Sequence, residues 1–214
     1  MSAQGALSDR NADLGLIETL LWTRASGYWL IEGHRARLAA SARTLGFAFA
    51  PEAFDAALAS AGAGAACEAL RVRLVLSRDG ALESSAGPFV ADPPQKIWRV
   101  AVAPARVDSR DPLLRHKTTR RAFYDDALAA SGADEVIFLN ERDEVCEGAR
   151  TNIFLKRDAI YGTPPVGCGL LPGVLRQNLL NHGQADEKIL RLDALAHGFY
   201  LGNSLRGLLP ARLG

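Results

Sequence analysis

Apolar residues run almost unbroken over 14–22, interrupted by Glu18 and Thr19, and predict a strand. Gly27 marks a turn, and 28–31 reads as the hairpin partner. From 35 to 45 the period changes: Leu38, Ala42 and Leu45 share one stripe and Gly46 stops it, so a helix is expected. Pro51 opens a second helix reaching residue 61, because its fixed φ and missing N–H suit the first helical turn. Over 70–77 Arg alternates with Val and Leu, the pattern of a half-buried strand, and Asp79-Gly80 is a hairpin turn signal. Residues 97–103 predict a further strand.

Two prolines and mixed charge over 104–114 read as a linker. Beyond it the pattern predicts helices at 120–131, closed by Gly132, and at 174–181, and strands at 135–139, 151–156, 188–192 and 199–201. The expected organisation is two mixed α/β domains, 1–104 and 105–214. Antiparallel hairpins dominate, so the expected class is α+β. Residues 1–11 are polar and read as a lead-in with no signal-peptide pattern.

Composition narrows the function. The 214 residues are 48% hydrophobic and 23% charged, which fits a globular chain and excludes disorder. The net charge of +1 provides no field for nucleic acid or anionic lipid, and no apolar run approaches a membrane span. Three cysteines without C-x-x-C spacing argue against a disulfide framework or a cysteine zinc site, and point to a reducing cytoplasm. The four histidines are scattered, so no metal site is expected; G-x-S-x-G and Walker patterns are absent. Cys146 reads as a small buried residue with no activating base beside it.

Five segments remain: His34-Arg35-Ala36-Arg37-Leu38; Arg115-His116-Lys117-Thr118-Thr119; Glu144-Val145-Cys146-Glu147-Gly148 followed by Thr151-Asn152-Ile153-Phe154; Gly169-Leu170-Leu171-Pro172-Gly173-Val174-Leu175-Arg176; and Gly202-Asn203-Ser204-Leu205-Arg206-Gly207. In this order they resemble the class IV aminotransferases, the fold type IV enzymes of pyridoxal phosphate (PLP), over about 17–210. That family holds branched-chain and D-amino acid aminotransferases and aminodeoxychorismate lyases.

The resemblance implies that PLP lies between the two domains and that the protein is a homodimer acting on a small amino substrate. It assigns Lys117 as the lysine that bonds the cofactor aldehyde and then moves a proton at the substrate, a role needing a lowered pKa. It places Glu147 beside the pyridine nitrogen. It gives the phosphate to Arg37, to the amides of Val174 and Leu175 at a helix start, and to the Ser204 hydroxyl. The segments look most like the lyase members, which convert 4-amino-4-deoxychorismate to 4-aminobenzoate and pyruvate. A branched-chain or D-amino acid aminotransferase is the alternative, and a PLP-binding protein without turnover the third. Arg73, Arg150 and Arg206 are the candidates for a substrate carboxylate, which suits a guanidinium fork. Two departures stand out: a shortened segment over 13–19, and Tyr124 one or two helical turns after the lysine.

Overall fold

The computed structural model describes residues 14–214, so the expected lead-in at 1–11 and Asp13 lie outside the described residues. The described residues form two sheets. The first runs in the order β2-β1-β3-β4 and is antiparallel throughout: β1 (Leu16–Thr23), β2 (Gly27–Tyr28), β3 (Ala69–Leu76) and β4 (Leu82–Pro88). Helices α1 (Ile31–Leu45) and α2 (Pro51–Gly62) cover one face, where Leu16, Leu20, Val72 and Leu74 meet Leu38, Ala42, Phe54 and Leu58. Because strand side chains alternate, Thr19, Arg71 and Arg73 stand on the opposite face. The β3–β4 hairpin closes at Asp79-Gly80 as expected; Gly80 has φ 96°, and Asp79 Oδ1 accepts from Ala81 N at 3.0 Å.

The second sheet has eight strands in the order β10-β9-β8-β11-β12-β5-β6-β7. These are β5 (Trp98–Val107), β6 (Glu135–Asn140), β7 (Val145–Gly148), β8 (Asn152–Arg157), β9 (Ile160–Thr163), β10 (Ala185–Glu187), β11 (Phe199–Asn203) and β12 (Gly207–Leu213). Strand β6 is buried on both faces. Ile137 and Leu139 join Val100, Ile153 and Leu201 on one side; Val136 and Phe138 join Ala103, Cys146 and Leu170 on the other, under Tyr124, Ala127 and Leu128 of α3 (Ala122–Ser131). Helix α4 (Val174–Asn181) matches its predicted span. The mixed α+β class with helices on two sheets is as expected.

Three expectations are corrected. The hairpin partner at 28–31 shortens to Gly27–Tyr28, because Leu30 turns into the left-handed region (φ 55°) to pack against the Phe154–Leu175 cluster and α1 starts at Ile31. The linker reading of 104–114 fails at its start: β5 runs through Pro104 to Val107, and its ladder with β6 shifts register between Val102 and Arg106, which accommodates the proline. The passage between the two sheets is at 89–97. The strand expected at 188–192 is irregular; Leu190 drops into the core and its carbonyl accepts from Val145 N at 2.9 Å, while β10 lies just before.

The two halves are stitched by the lysine segment. Ile17 N donates to Lys117 O at 2.8 Å, Thr119 N donates to Gly15 O at 2.9 Å, and Leu16 bridges Thr118 in antiparallel register. A Cβ on Gly15 would lie 3.0 Å from both Thr119 Cγ2 and Val75 Cγ1, so a side chain there would push this contact apart. Helix α1 meets α4 at Gly33, where a Cβ would stand 2.7 Å from Val174 Cγ1.

Candidate active site

A cleft of about 880 Å³ opens between the two sheets, and its lining includes Arg37, Lys117, Glu147, Val174 and Ser204. Five separate elements thus converge where the sequence offered only scattered motifs. Leu175 is the exception among the expected cofactor residues: its side chain points into the apolar cluster with Phe154 and Leu179, leaving only its backbone amide near the helix start.

Lys117 is half-buried at the floor of this cleft. Desolvation, helped by the positive charges of Arg37 and Arg121, brings its amine down to about 7, against the pull of Glu18 and Glu147. Arg121 lies four residues on from Lys117, whereas Arg37 is distant in sequence and is brought to it by the fold. Arg121 itself is fixed by a 2.5 Å bond to Ala149 O and stacks over Tyr124.

Glu147 lies on β7, buried. Leu171 N donates to its Oε2 at 3.1 Å and the Tyr124 hydroxyl to its Oε1 at 2.9 Å. Burial pushes its carboxyl up to about 7, opposed by these two bonds and by Lys117 and Arg121. Burial, and then the Glu147 charge, pushes the Tyr124 hydroxyl up, so Tyr124 stays protonated as the donor. Cys146 beside it is buried, donates to Cys168 O at 3.0 Å, and is pushed up by burial, in keeping with an inert thiol.

Helix α4 begins at Val174 with no side-chain cap, so its first amides have no acceptor inside the helix. Gly173 before it has φ −62°, which any residue adopts; the demand for glycine is spatial, because a Cβ would lie 2.0 Å from Asn152 Oδ1. Asn152 is itself tied to Leu171 O at 2.9 Å. Gly173→Ala is therefore expected to cost about 1–3 kcal/mol through overpacking, measured by chemical denaturation. Equal stability would show that Asn152 moves aside freely. Ser204 sits across the cleft in the β11–β12 turn, which Asn203 Oδ1 closes by accepting from Leu205 N at 3.0 Å and Arg206 N at 2.9 Å.

The sequence missed the residues that hold Arg37. Glu18 on β1 is buried and accepts from Arg37 Nε at 2.9 Å and Nη2 at 2.6 Å, and its Oε2 lies 2.5 Å from His34 Nδ1. Burial works against the carboxylate, but Arg37 and His34 outweigh it and hold Glu18 at about 2. The available signal was Glu18 interrupting an apolar strand, which demanded a buried partner. Among the substrate arginines, Arg150 bonds Asp134 O at 3.0 Å, and Arg206 pairs with Asp92 at 2.9 Å and stacks on Trp98. Arg73 faces the cleft.

The family model for amino-transferase class IV matches residues 15–213. The chain belongs to the class IV aminotransferases. A Schizosaccharomyces pombe protein described as "Putative aminodeoxychorismate lyase" is 28% identical over 202 residues, covering 89% of this chain and 86% of that protein. The structure of a "Putative amino-acid aminotransferase" from Mesorhizobium loti is 44% identical with a TM-score of 0.90, covering 94% of this chain and 100% of that one. A hypothetical aminotransferase from Mycobacterium tuberculosis in a PLP-bound form shares the fold at 23% identity and a TM-score of 0.78, over 96% of this chain and 82% of that one. The class IV aminotransferases use PLP on small amino substrates. The residues here fit that cofactor: an amine held near neutrality, a buried carboxylate with both oxygens engaged, and uncapped helix amides kept clear by a glycine. No helix among the described residues is long and apolar enough to cross a membrane.

Proposed function

We propose that this class IV aminotransferase-like enzyme is an aminodeoxychorismate lyase, converting 4-amino-4-deoxychorismate to 4-aminobenzoate and pyruvate in the synthesis of the folate precursor. The observation that carries the lyase over other activities is the likeness to the S. pombe protein along nearly the whole chain. PLP in the cleft supplies an aldehyde for the substrate amine and a ring that stores electron density. Arg37, the amides of Val174 and Leu175, and the Ser204 hydroxyl would hold its phosphate. Glu147 would keep a proton on the ring nitrogen.

Lys117 takes the proton from the amine-bearing ring carbon of the substrate. The bond from the neighbouring carbon to the enolpyruvyl oxygen breaks, and the electron pair left behind closes the third double bond of the ring. Lys117 returns the proton to the methylene carbon of the departing enolpyruvate, giving pyruvate. Atoms balance without water or an amino acceptor. Aromatisation drives the step, so the protein mainly orients groups and moves one proton. The assembly is a homodimer in the cytoplasm.

The test is a product assay. PLP-loaded protein with aminodeoxychorismate and no keto acid is expected to release 4-aminobenzoate. Release only when a keto acid is turned over, or none at all, would overturn the lyase. The M. loti likeness favours the second reading, an aminotransferase sharing Lys117, Glu147 and the phosphate contacts.

Glu18 acts in this scheme as a positioning residue, since it fixes the guanidinium of Arg37. Glu18→Gln is expected to weaken PLP capture about tenfold, the loss of one charge-assisted contact. Titration of apoprotein, followed by the cofactor absorbance, measures it. An unchanged Kd would mean that Arg37 needs no holding or does not meet the phosphate.

A further inference from the structure

We propose that Glu135 is a positioning residue: its buried carboxylate clamps the turn over 148–151, and through the Ala149 carbonyl of that turn it holds Arg121 beside Lys117. This rests on the reading of Lys117 as the lysine that meets the cofactor.

Glu135 opens β6 and is fully buried. Strand alternation puts it on the side of Ile137, in an apolar row. A carboxylate there needs donors, since burying it unpaired is costly. It has three. Val136 N donates to Oε1 at 3.1 Å, and Arg150 N and the Thr151 hydroxyl donate to Oε2, each at 3.1 Å. The last two belong to the turn that joins β7 to β8. Burial pushes the carboxyl above its usual range, opposed first by the Arg150 charge and then by these donors. Gly148 makes room for it: a Cβ there would stand 3.1 Å from Glu135 Cδ and 2.5 Å from Thr151 Oγ1.

The other polar groups of the turn show what the clamp serves. Gly148 N donates to Thr151 O at 2.7 Å and Ala149 N to Val136 O at 2.9 Å. Arg150 N has Glu135 as its acceptor, so without the carboxylate a backbone donor loses its partner. Two carbonyls of the turn carry the site. Ala149 O accepts from Arg121 Nη2, and Arg150 O accepts from Asn203 Nδ2 at 3.1 Å, next to Ser204. The Arg121 contact to Asp125 is longer, at 3.6 Å. The guanidinium is therefore placed mainly by a carbonyl whose own position depends on Glu135.

The charged groups acting on Lys117 are Arg37 of α1, Arg121, Glu18 of β1 and Glu147 of β7, the last bonded to the Tyr124 hydroxyl. The two guanidinia favour the neutral amine and the two carboxylates oppose it. Loosening the turn lets Arg121 move away, so the Lys117 amine titrates higher. Removing the negative charge of Glu135 acts with the opposite sign, because it favours the neutral amine. An upward shift thus marks the route through Arg121.

The experiment measures the pH midpoint of PLP capture by the apoprotein, from the cofactor absorbance. Glu135→Gln is expected to raise it by about half a pH unit or more, which slows capture below the midpoint about threefold. Thr151→Val removes one donor to Oε2 without any charge change and should raise it by less. Arg121→Gln should raise it directly. Glu135→Gln added to Arg121→Gln should add nothing, the mark of two residues acting as a unit. Chemical denaturation of each variant separates this from a general loss of stability, which would leave the midpoint in place.

A midpoint unmoved or lowered in Glu135→Gln and Thr151→Val overturns the clamp, and so does a full second shift in the double variant. Thr151→Val alone decides if Glu135→Gln does not fold. Lys117→Ala is the control for the reading beneath. A cofactor band retained there overturns that reading and the proposal together. A band lost there, with an unmoved midpoint in the clamp variants, overturns the proposal alone.

Discussion

Lys117→Ala is expected to abolish turnover, by about 10³-fold or more, because in the proposed scheme one residue supplies both the bond to the cofactor and the proton carrier. The absorbance band of bound PLP disappears with it. No other lysine can substitute. The chain has 4 lysines among its 25 basic residues, and Lys117 is the one lining the cleft. Lys96 is held by Asp92 and Asp134. The fold should survive, since the segment is pinned by the backbone of Ile17 and Gly15 rather than by the amine.

The wild-type lysine also carries a pH signature. An ordinary lysine at pH 7 is neutral in about one molecule in a few thousand. Burial and the charges of Arg37 and Arg121 hold Lys117 near 7, so about half its amines are neutral there. PLP capture by the apoprotein should rise with pH up to about 7 and level off above it, rather than rising toward 10. Stopped-flow absorbance measures this. A variant that keeps turnover and the band would remove Lys117 from the site.

Glu147→Gln is the second large effect: PLP stays bound while turnover falls about a hundredfold or more. The substitution is nearly isosteric, and its hydrogen bonds can be kept. The amide oxygen accepts from Leu171 N, and the amide nitrogen donates to the Tyr124 oxygen. What is lost is the negative charge. A ring nitrogen next to a neutral amide no longer retains its proton, so the ring stores electron density poorly and proton removal by Lys117 slows. The proposed phosphate contacts lie elsewhere, on α1, α4 and the β11–β12 turn, so binding should hold. A substrate deuterated at the amine-bearing carbon should show a larger isotope effect in the variant. Unchanged kinetics would place Glu147 away from the ring nitrogen.

Periodicity alone determined much of this chain. The stripe of Leu38, Ala42 and Leu45 marked α1, Arg alternating with Val and Leu marked β3, and Pro-Gly before Val174 marked the start of α4. Local signals are strong where one face is apolar or where a proline or glycine sets φ. They were weak where neighbours decide. Strand β12 carries Pro210 yet sits between β11 and β5, paired on both sides. Strand β4 is polar and nearly all exposed, so it shows no alternation. Leu190 reads as strand and is a single plug in the core.

The site divides the same way. Residue types in order led the resemblance to Lys117, Glu147, Arg37 and the glycine-led helix, and the fold brings these to one cleft. Their electrostatics were not legible. Lys117 is brought to about 7 by burial and by an arginine 80 positions away in sequence, and Arg37 is oriented by Glu18 from another element. Which arginines are committed depends on distances between strands that no local pattern encodes. Charges act through space, so their partners are chosen only when the chain is folded.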